Sequence, residues 1–219
     1  MSRMRRLTKN FYQQDTFKLA KSLLGKYLVR KINNKTLLGK IVEVEAYYGP
    51  DDLASHASRG KTPRTQIMFS QPGLAYIYLI YGMYYCFNIV TEAKNFPAAV
   101  LIRALEPISG LPQMYKNRYL NKKKDNFILH PSALTNGPSK LCQAFKIDKK
   151  LNGHNLITSR IIYLAENPKE KISANSGSAS GGKPSQIQSA KRIGVDYAGD
   201  YKHKLWRFYL KNNPFISSK

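Results

Sequence analysis

Apolar and polar residues alternate along residues 41–47, and the alternation ends at a Gly-Pro-Asp-Asp sequence. A period of two predicts a β-strand, and the Gly-Pro pair predicts that the strand runs into a turn. Successive side chains of a strand point to opposite faces, so Glu43, Glu45 and Tyr47 are expected to share one face. Such a face could serve chemistry at the strand end, but a solvated strand face carries glutamates equally well.

The residues before this strand complete a predicted hairpin. Residues 27–32 and 36–48 have strand character, and the Asn-Asn pair between them predicts a tight turn. The face with the two glutamates therefore belongs to an antiparallel sheet.

Three segments show the spacing or the end signals of helices. The first follows an Asp-Thr cap and ends before a glycine, and the third begins with Asn-Gly-Pro. The predicted helices cover residues 17–24, 109–120 and 136–147.

A tyrosine-rich stretch at residues 73–90 predicts two strands that meet at Gly82. In the first of them, Tyr76 and Tyr78 are expected to share a face. Large rings at an exposed turn must either pack or insert into a partner, and proteins that kink DNA carry wedges on such protrusions. The turn carries three large side chains, which are Tyr81, Met83 and Tyr84.

Residues 98–107 form a nearly continuous apolar run that is interrupted by Arg103. The run predicts a buried strand, and a buried arginine needs an anionic partner because an unpaired buried charge is costly. Three glutamates are candidates for that partner, namely Glu43, Glu45 and Glu106.

The chain ends with a change of composition and a return to strand character. Residues 167–190 are rich in Ser, Gly and Lys, which predicts a flexible insertion, and residues 191–195 and 206–210 again have strand character. We therefore expect one mixed domain over residues 1–219, of the α+β class, with a curved antiparallel sheet and flanking helices.

The net charge of the chain indicates what kind of partner it binds. The chain has 36 Lys and Arg against 13 Asp and Glu, a net charge of +23, which predicts a polyanionic partner. The 15 Tyr and 9 Phe favour nucleic acid over a membrane surface, because rings among basic residues suit base stacking. The loop at 51–65, Lys140 near a predicted helix start and the lysines at 122–124 are candidate contacts to phosphate.

The two cysteines and the N-terminal residues bear on the cell compartment. Cys86 and Cys142 are far apart in sequence, so neither a disulfide framework nor a thiolate zinc site is indicated. A secretory apolar region and a run of about 18 apolar residues are both missing from the sequence. We therefore expect a bacterial cytoplasmic protein that is associated with the nucleoid through DNA.

A carboxylate, an arginine, stacking rings and a basic surface suit hydrolysis of an N-glycosidic bond on a nucleotide turned out of its helix. The chain also contains several distinctive motifs in a fixed order: Glu45-Ala-Tyr47, His56, the Tyr-Ile-Tyr78-Leu-Ile-Tyr81-Gly-Met-Tyr run, Asn88, Arg103-Ala-Leu-Glu-Pro, Asn136-Gly-Pro-Ser-Lys-Leu-Cys and Arg192-Ile-Gly-Val. With these motifs, the sequence resembles the alkyladenine (3-methyladenine) DNA glycosylase family over roughly residues 10–215.

The resemblance implies a monofunctional enzyme that leaves an abasic site and uses no cofactor or metal. In this family pattern Glu45 is the general base that activates water, and Arg103 and the backbone carbonyl of Ile193 help to hold the water. The implied partner is double-stranded DNA with a damaged purine, such as alkylated adenine, hypoxanthine or ethenoadenine. The implied enzyme is a monomer.

The resemblance also assigns the remaining residues of the site. It places Tyr47 and His56 on one side of the flipped base and Tyr78 on the other, and His56 also offers a hydrogen bond to the base edge. Asn88 is expected to reject normal guanine, and Tyr81 to fill the vacated stack. Four further residues are assigned to DNA: Met83 and Tyr84 to the minor groove, Arg64 and Lys140 to phosphates. The stretches 91–97 and 167–190 do not follow the family pattern.

Two other functions compete with this one. A non-enzymatic RNA- or ribosome-binding protein would explain the charge and the rings. A metal-dependent nuclease would use oxygen-rich ligands that suit Mg²⁺, drawn from Glu43, Glu45, Asp51, Asp52 and His56.

Overall fold

The structure is a computed structural model that describes residues 4–119, 130–168 and 186–217. The lysine run at 122–124 and residues 169–185 of the predicted insertion lie outside the described residues. The described strands are β1 Arg5–Arg6, β2 Tyr27–Ile32, β3 Lys35–Tyr48, β4 Ala75–Ile80, β5 Tyr84–Val90, β6 Ala98–Ser109, β7 Ile162–Glu166, β8 Ile187–Ala190 and β9 Arg207–Leu210. The described α-helices are α1 Lys9–Tyr12, α2 Thr16–Leu23, α3 Leu111–Tyr119 and α4 Pro138–Ala144.

One antiparallel sheet contains these strands, and β3 is its central member. Along the sheet the order is β1-β7-β2-β3-β6-β5-β4, and β9 joins β3 and β8. β2 pairs with the first part of β3, whereas β9 pairs with Glu43–Glu45, so the two strands follow each other along the same edge. The predicted α+β class, with an antiparallel sheet and flanking helices, is confirmed.

Two β-bulges interrupt the pairing of β3 with β6 at the glutamates. Ile41 pairs with Leu105 and Glu43 with Ala104, so Val42 is an extra residue on β3. Val44 then pairs with Ile102, so Arg103 is an extra residue on β6. A bulge re-aims a side chain and bends its strand. The two bulges therefore shift the pairing of β3 with β6 and bring Arg103 beside Glu43 and Glu45.

The helices cover the sheet and close the core. α2 packs on β3, α4 packs on β5 and β6, and α3 packs on α4. The start of α2 is capped as predicted, because the Asp15 carboxylate accepts the N–H groups of Phe17 and Lys18 at 3.1 and 3.0 Å. Within the described chain, no helix is both long and apolar enough to cross a membrane.

Most predicted elements agree with the structure, and the exceptions lie near the end of the chain. The hairpin of β2 and β3 and the tyrosine hairpin of β4 and β5 are both present. The predicted strand at 191–195 is wrong, because these residues form a loop in which Gly194 has a φ of 75°. The predicted insertion also extends too far, since Ile187–Ala190 forms β8 and pairs with β9.

Candidate active site

A pocket of about 690 Å³ opens between the β4–β5 turn and the loop that follows β8. Its wall contains polar, charged and aromatic side chains from β3, β4, β5 and β6. Eight predicted site residues line it: Tyr47, His56, Arg64, Tyr78, Tyr81, Asn88, Arg103 and Ile193. Four others, Glu45, Met83, Tyr84 and Lys140, do not line it.

Glu45 is fully buried behind the pocket wall, and its carboxylate accepts three hydrogen bonds from residues that form the wall. The Ile193 N–H donates to Oε1 at 2.8 Å. Arg103 Nη1 and the Tyr47 hydroxyl donate to Oε2 at 3.1 and 3.0 Å. The structure thus brings Glu45, Arg103 and Ile193 together, and Ile193 contacts the carboxylate through its N–H, whereas the resemblance implied a water held by its carbonyl.

The pKa values of the two side-chain donors favour this arrangement. Burial, and then the nearby carboxylate of Glu45, raise the pKa of the Tyr47 phenol well above its ordinary value, so the phenol keeps its proton. Burial lowers the pKa of Arg103, but the carboxylates of Glu45 and Glu43 outweigh it and raise the pKa. Both side chains therefore stay donors around neutral pH.

Glu43 occupies the other side of Arg103 and is equally buried. Its Oε1 lies 3.3 Å from Arg103 Nε and 3.0 Å from Arg207 Nη1. Arg103 thus forms ion pairs with both glutamates of β3, two of the three candidate partners that the sequence left open. Glu106, the third candidate partner, instead accepts a hydrogen bond from Asn213 at 3.3 Å.

A second buried ion pair supports the site, and sequence reasoning missed it. Asp52 and Arg192 form two parallel hydrogen bonds at 2.6 and 2.8 Å, and both side chains are fully buried. Arg192 also donates to the Ala46 carbonyl at 3.0 Å, and its guanidinium lies 4.8 Å from the Tyr47 ring centroid. This pair fixes the loop that presents the Ile193 N–H to Glu45. The only sequence signal was an Asp in a turn and an Arg beside Ile-Gly, about 140 residues apart.

Several rings of the wall come from β4 and from the short 3₁₀ helix His56–Arg59. His56 Nδ1 shares a hydrogen bond of 3.0 Å with the Tyr76 hydroxyl. The rings of His56 and Tyr78 meet edge to face with centroids 4.4 Å apart. The two rings assigned to opposite sides of a base are therefore in contact here, and a base between them would require them to separate.

Electrostatics keep His56 neutral. Burial, and then the nearby charges of Arg64 and Arg59, lower the pKa of the imidazole to about 4. At neutral pH the ring carries one N–H donor and one acceptor nitrogen. A neutral imidazole can form a hydrogen bond with a base edge without adding its own positive charge to those of Arg64 and Arg59.

Asn88 lies inside the sheet on β5, with its side chain buried at the pocket wall. Its Nδ2 donates to the Tyr76 carbonyl at 3.1 Å, and this hydrogen bond restricts the orientation of the amide. A fixed buried amide is suited to discriminate between base edges, because a mismatched polar group would be left unpaired there.

The β4–β5 turn projects into solvent beside the pocket. Tyr81 is 86% exposed and Met83 64% exposed, while Tyr84 is partly covered. The Met83 N–H donates to the Ile80 carbonyl at 3.1 Å, and Tyr81 and Gly82 both have positive φ values, of 51° and 68°. A bulky residue rarely adopts a positive φ, and such strain concentrates at functional positions.

The two residues predicted to bind phosphate, Arg64 and Lys140, lie in different parts of the structure. Arg64 donates to the Leu79 carbonyl at 3.1 Å and lies over the Tyr78 ring, so it braces the base of the turn. Lys140 is on α4, where it donates to Asn136 at 2.8 Å. Its neighbours Pro138 and Ser139 line the pocket, but Lys140 does not.

The contacts of the acidic residues argue against the nuclease alternative. Arginines and backbone N–H groups occupy the oxygens of Glu43, Glu45 and Asp52. Moreover, no three His, Cys, Asp or Glu side chains among the residues that the structure describes form a group that could hold a metal. The carboxylates of Glu43, Glu45 and Asp52 are therefore each paired with an arginine.

The chain is similar to known proteins over nearly its whole length. A family model described as "Methylpurine-DNA glycosylase (MPG)" matches residues 10–214. Proteins named "Putative 3-methyladenine DNA glycosylase" from Clostridium perfringens (strain 13 / Type A) and Methanocella arvoryzae are 47% and 43% identical to this chain. The matches cover 98% and 97% of the chain and 100% and 96% of the relatives, respectively.

Together, these observations define the chain as a DNA glycosylase, an enzyme of base-excision repair. More narrowly, the chain belongs to the methylpurine-DNA glycosylase family. The family explains why a basic surface accompanies the group of Glu45, Arg103 and Tyr47, a combination that a purely RNA-binding protein would not need.

Proposed function

We propose that this enzyme turns a damaged purine nucleotide out of duplex DNA into the pocket and hydrolyses its N-glycosidic bond with a water activated by Glu45. One observation carries the proposal: the three groups that hold the Glu45 carboxylate all belong to the wall of an aromatic pocket. A base bound in that pocket would have its sugar bond near the buried carboxylate.

The hydrogen bonds of Glu45 leave room for a water. A carboxylate has about four acceptor sites. Within the described parts of the chain, Oε1 accepts one hydrogen bond and Oε2 accepts two, so acceptor capacity remains on Oε1. A water that donates to Oε1 could also donate to the Ile193 carbonyl, while Arg103 remains bound to Oε2.

The proposed step balances without a cofactor. The C1′–N bond breaks and its electron pair goes to the purine, while the water oxygen bonds to C1′ and the water loses one proton to Glu45, which passes it on to solvent. A cationic alkylated purine leaves as a neutral base, whereas hypoxanthine or ethenoadenine leaves as an anion that takes up a proton from solvent. A sugar with oxocarbenium character is the transition state expected for such hydrolysis, and the nearby negative charge stabilises it. The products are a free base and an abasic site with an uncut strand.

Selection of the base is assigned to the aromatic wall and Asn88. Stacking on Tyr47 and Tyr78 tolerates several purines, because every base has a π-face. Neutral His56 would bind the base edge, and the restricted amide of Asn88 would disfavour normal guanine. The proposed substrates are therefore alkylated adenine, hypoxanthine and ethenoadenine.

Binding to the duplex is assigned to the exposed turn and to basic side chains. Tyr81 would fill the stack that the base has left, and Met83 and Tyr84 would lie in the minor groove. Arg64 and Lys140 would bind phosphate. The enzyme is expected to act as a monomer.

The direct test uses duplex DNA with a single hypoxanthine or ethenoadenine. We expect the protein to release the base in the presence of EDTA and to leave sites that alkali cleaves. Strands analysed without alkali should remain intact, because the proposed nucleophile is water and not a lysine. A folded protein that releases none of these bases would overturn the proposed function. Strand cleavage without alkali that requires an added divalent metal would restore the nuclease alternative.

Tyr81→Ala is predicted to weaken lesion binding by about 10- to 100-fold, because unstacking a base costs a few kcal/mol that the wedge offsets. Tyr81→Gly should show the same loss, although glycine relieves the strain of a positive φ. Tyr81→Leu, which keeps an apolar wedge, should retain most of the affinity. Fluorescence anisotropy on a hypoxanthine duplex measures all three, and unchanged affinity for the Ala and Gly variants would contradict the wedge.

A further inference from the structure

The segment that follows β9, residues 211–217, returns to the ion pair behind the pocket. Asn212 turns the backbone with a φ of 61°. Asn213 then accepts the Phe215 N–H at 2.9 Å and donates to Glu106 at 3.3 Å, and Phe215 packs against the core. These contacts anchor the segment on β6 and place Ser217 beside Glu43 and Arg103.

Ser217 bridges the two charged residues. Its N–H and its hydroxyl donate to the two oxygens of Glu43, at 2.5 and 2.9 Å, respectively. The same hydroxyl oxygen lies 3.3 Å from Arg103 Nη2 and 3.4 Å from Arg103 Nε, where it accepts from the guanidinium. The Ser217 hydroxyl therefore links the Glu43 carboxylate to the Arg103 guanidinium, on the side of the guanidinium that faces away from Glu45.

These contacts determine how Arg103 meets Glu45. The guanidinium is planar, so a hydrogen bond at Nη2 fixes the direction of Nη1, which donates to Glu45 at 3.1 Å. Without the hydroxyl, a buried N–H of Arg103 would lose its acceptor, and an unpaired buried donor is costly. The guanidinium would then rotate toward a carboxylate oxygen and move Nη1 away from its present position.

We propose that Ser217 is a positioning residue for hydrolysis: it holds the Arg103 guanidinium against Glu43, so that Nη1 remains on Glu45. Ser217 does not line the pocket and is not expected to touch DNA. The proposal rests on the proposed role of Glu45 as the base. It differs from a purely structural role because it predicts a loss in the chemical step without a loss in binding.

The test compares Ser217→Ala, Ser217→Thr and the control Ser189→Ala, which makes the same change at an exposed position of β8. Excision of one hypoxanthine is measured in single turnover with enzyme in excess, and lesion affinity by anisotropy. Ser217→Ala should excise about 10-fold more slowly, because hydrogen bonds to charged groups are among the stronger ones. Its affinity should be unchanged, Ser217→Thr should restore the rate, and the control should match the wild type.

The outcomes separate this proposal from the proposed function. An unmodified enzyme that excises no base contradicts the proposed function itself. If the unmodified enzyme and the control excise the base, an unchanged rate for Ser217→Ala overturns only the role of Ser217. Equal losses of rate and affinity, or failure of threonine to restore the rate, also overturn it. Should the alanine variant not fold, Ser217→Cys replaces it, because a thiol fills similar volume but is a weak hydrogen-bonding group.

Discussion

Glu45→Gln is expected to bind lesion DNA with nearly unchanged affinity and to excise the base about 10²- to 10⁴-fold more slowly, the range that a general base contributes. Glutamine keeps the size of the side chain but cannot take a proton from water. It also removes the negative charge that would stabilise the sugar in the transition state. Single-turnover excision of hypoxanthine and anisotropy on the same duplex measure the two effects separately.

The hydrogen bonds around Glu45 add a second expectation for this variant. The Ile193 N–H and Arg103 can only donate, and each binds a different carboxylate oxygen. A glutamine amide has one acceptor oxygen, so its NH₂ group must face one of these donors in either orientation. We therefore expect Glu45→Gln to unfold at a lower temperature than the wild type while still folding.

Glu166→Gln is the matched control for this experiment. Glu166 lies on β7, where it pairs with Lys26 and Arg5 outside the pocket. The same change of charge there should leave both excision and affinity unchanged. Fast excision by a folded Glu45→Gln enzyme would show that another group activates the water.

The parts of the fold that follow from local sequence were predictable. The alternation of residues and the Asn-Asn turn predicted the hairpin of β2 and β3, and the tyrosine run with Gly82 predicted the hairpin of β4 and β5. The cost of a buried charge also predicted that Arg103 pairs with a carboxylate, and the structure selects Glu43 and Glu45 from the three candidates. Each of these inferences depends on periodicity, turn chemistry or the cost of a buried charge.

The remaining features depend on register and on distant pairing. Nothing in the local sequence marks Val42 and Arg103 as the extra residues of two bulges, since each lies within a segment whose pattern predicts one continuous strand. Residues 191–195 resemble a strand because Ile and Val flank Gly194, but the buried pairing of Arg192 with Asp52 holds them as a loop. Ser217 joins the site only because the chain turns back after β9.

The two glutamates of β3 have different surroundings, although a single pattern predicted both. Glu45 contacts residues of the pocket wall, namely Tyr47, Arg103 and Ile193. Among the described residues, Glu43 has hydrogen bonds with Arg103, Arg207 and Ser217, and of these three only Arg103 lines the pocket. We therefore propose that Glu43 orients Arg103 and that Glu45 takes the proton.

Asp52→Ala is expected to lower the free energy of unfolding by about 3–5 kcal/mol, because it leaves the buried guanidinium of Arg192 without its carboxylate. Asp52 also accepts the N–H groups of Tyr48 and Ala54, both at 3.1 Å, so the turn after β3 loses hydrogen bonds as well. Excision should fall too, since Arg192 holds the loop that presents the Ile193 N–H to Glu45. Urea unfolding and single-turnover excision measure these two losses.

A double-mutant cycle separates the buried charge from the lost contacts. Arg192→Met should also destabilise the protein, but the double variant should be less destabilised than the sum of the single variants, because no uncompensated charge then remains in the core. Glu166→Gln breaks ion pairs nearer the surface and should change the free energy of unfolding by only about 0–1 kcal/mol. The losses of unfolding free energy in the two single variants could instead add up strictly in the double variant. That result would show that the packing and backbone contacts of Asp52 and Arg192, and not their paired charges, hold this loop against the active site.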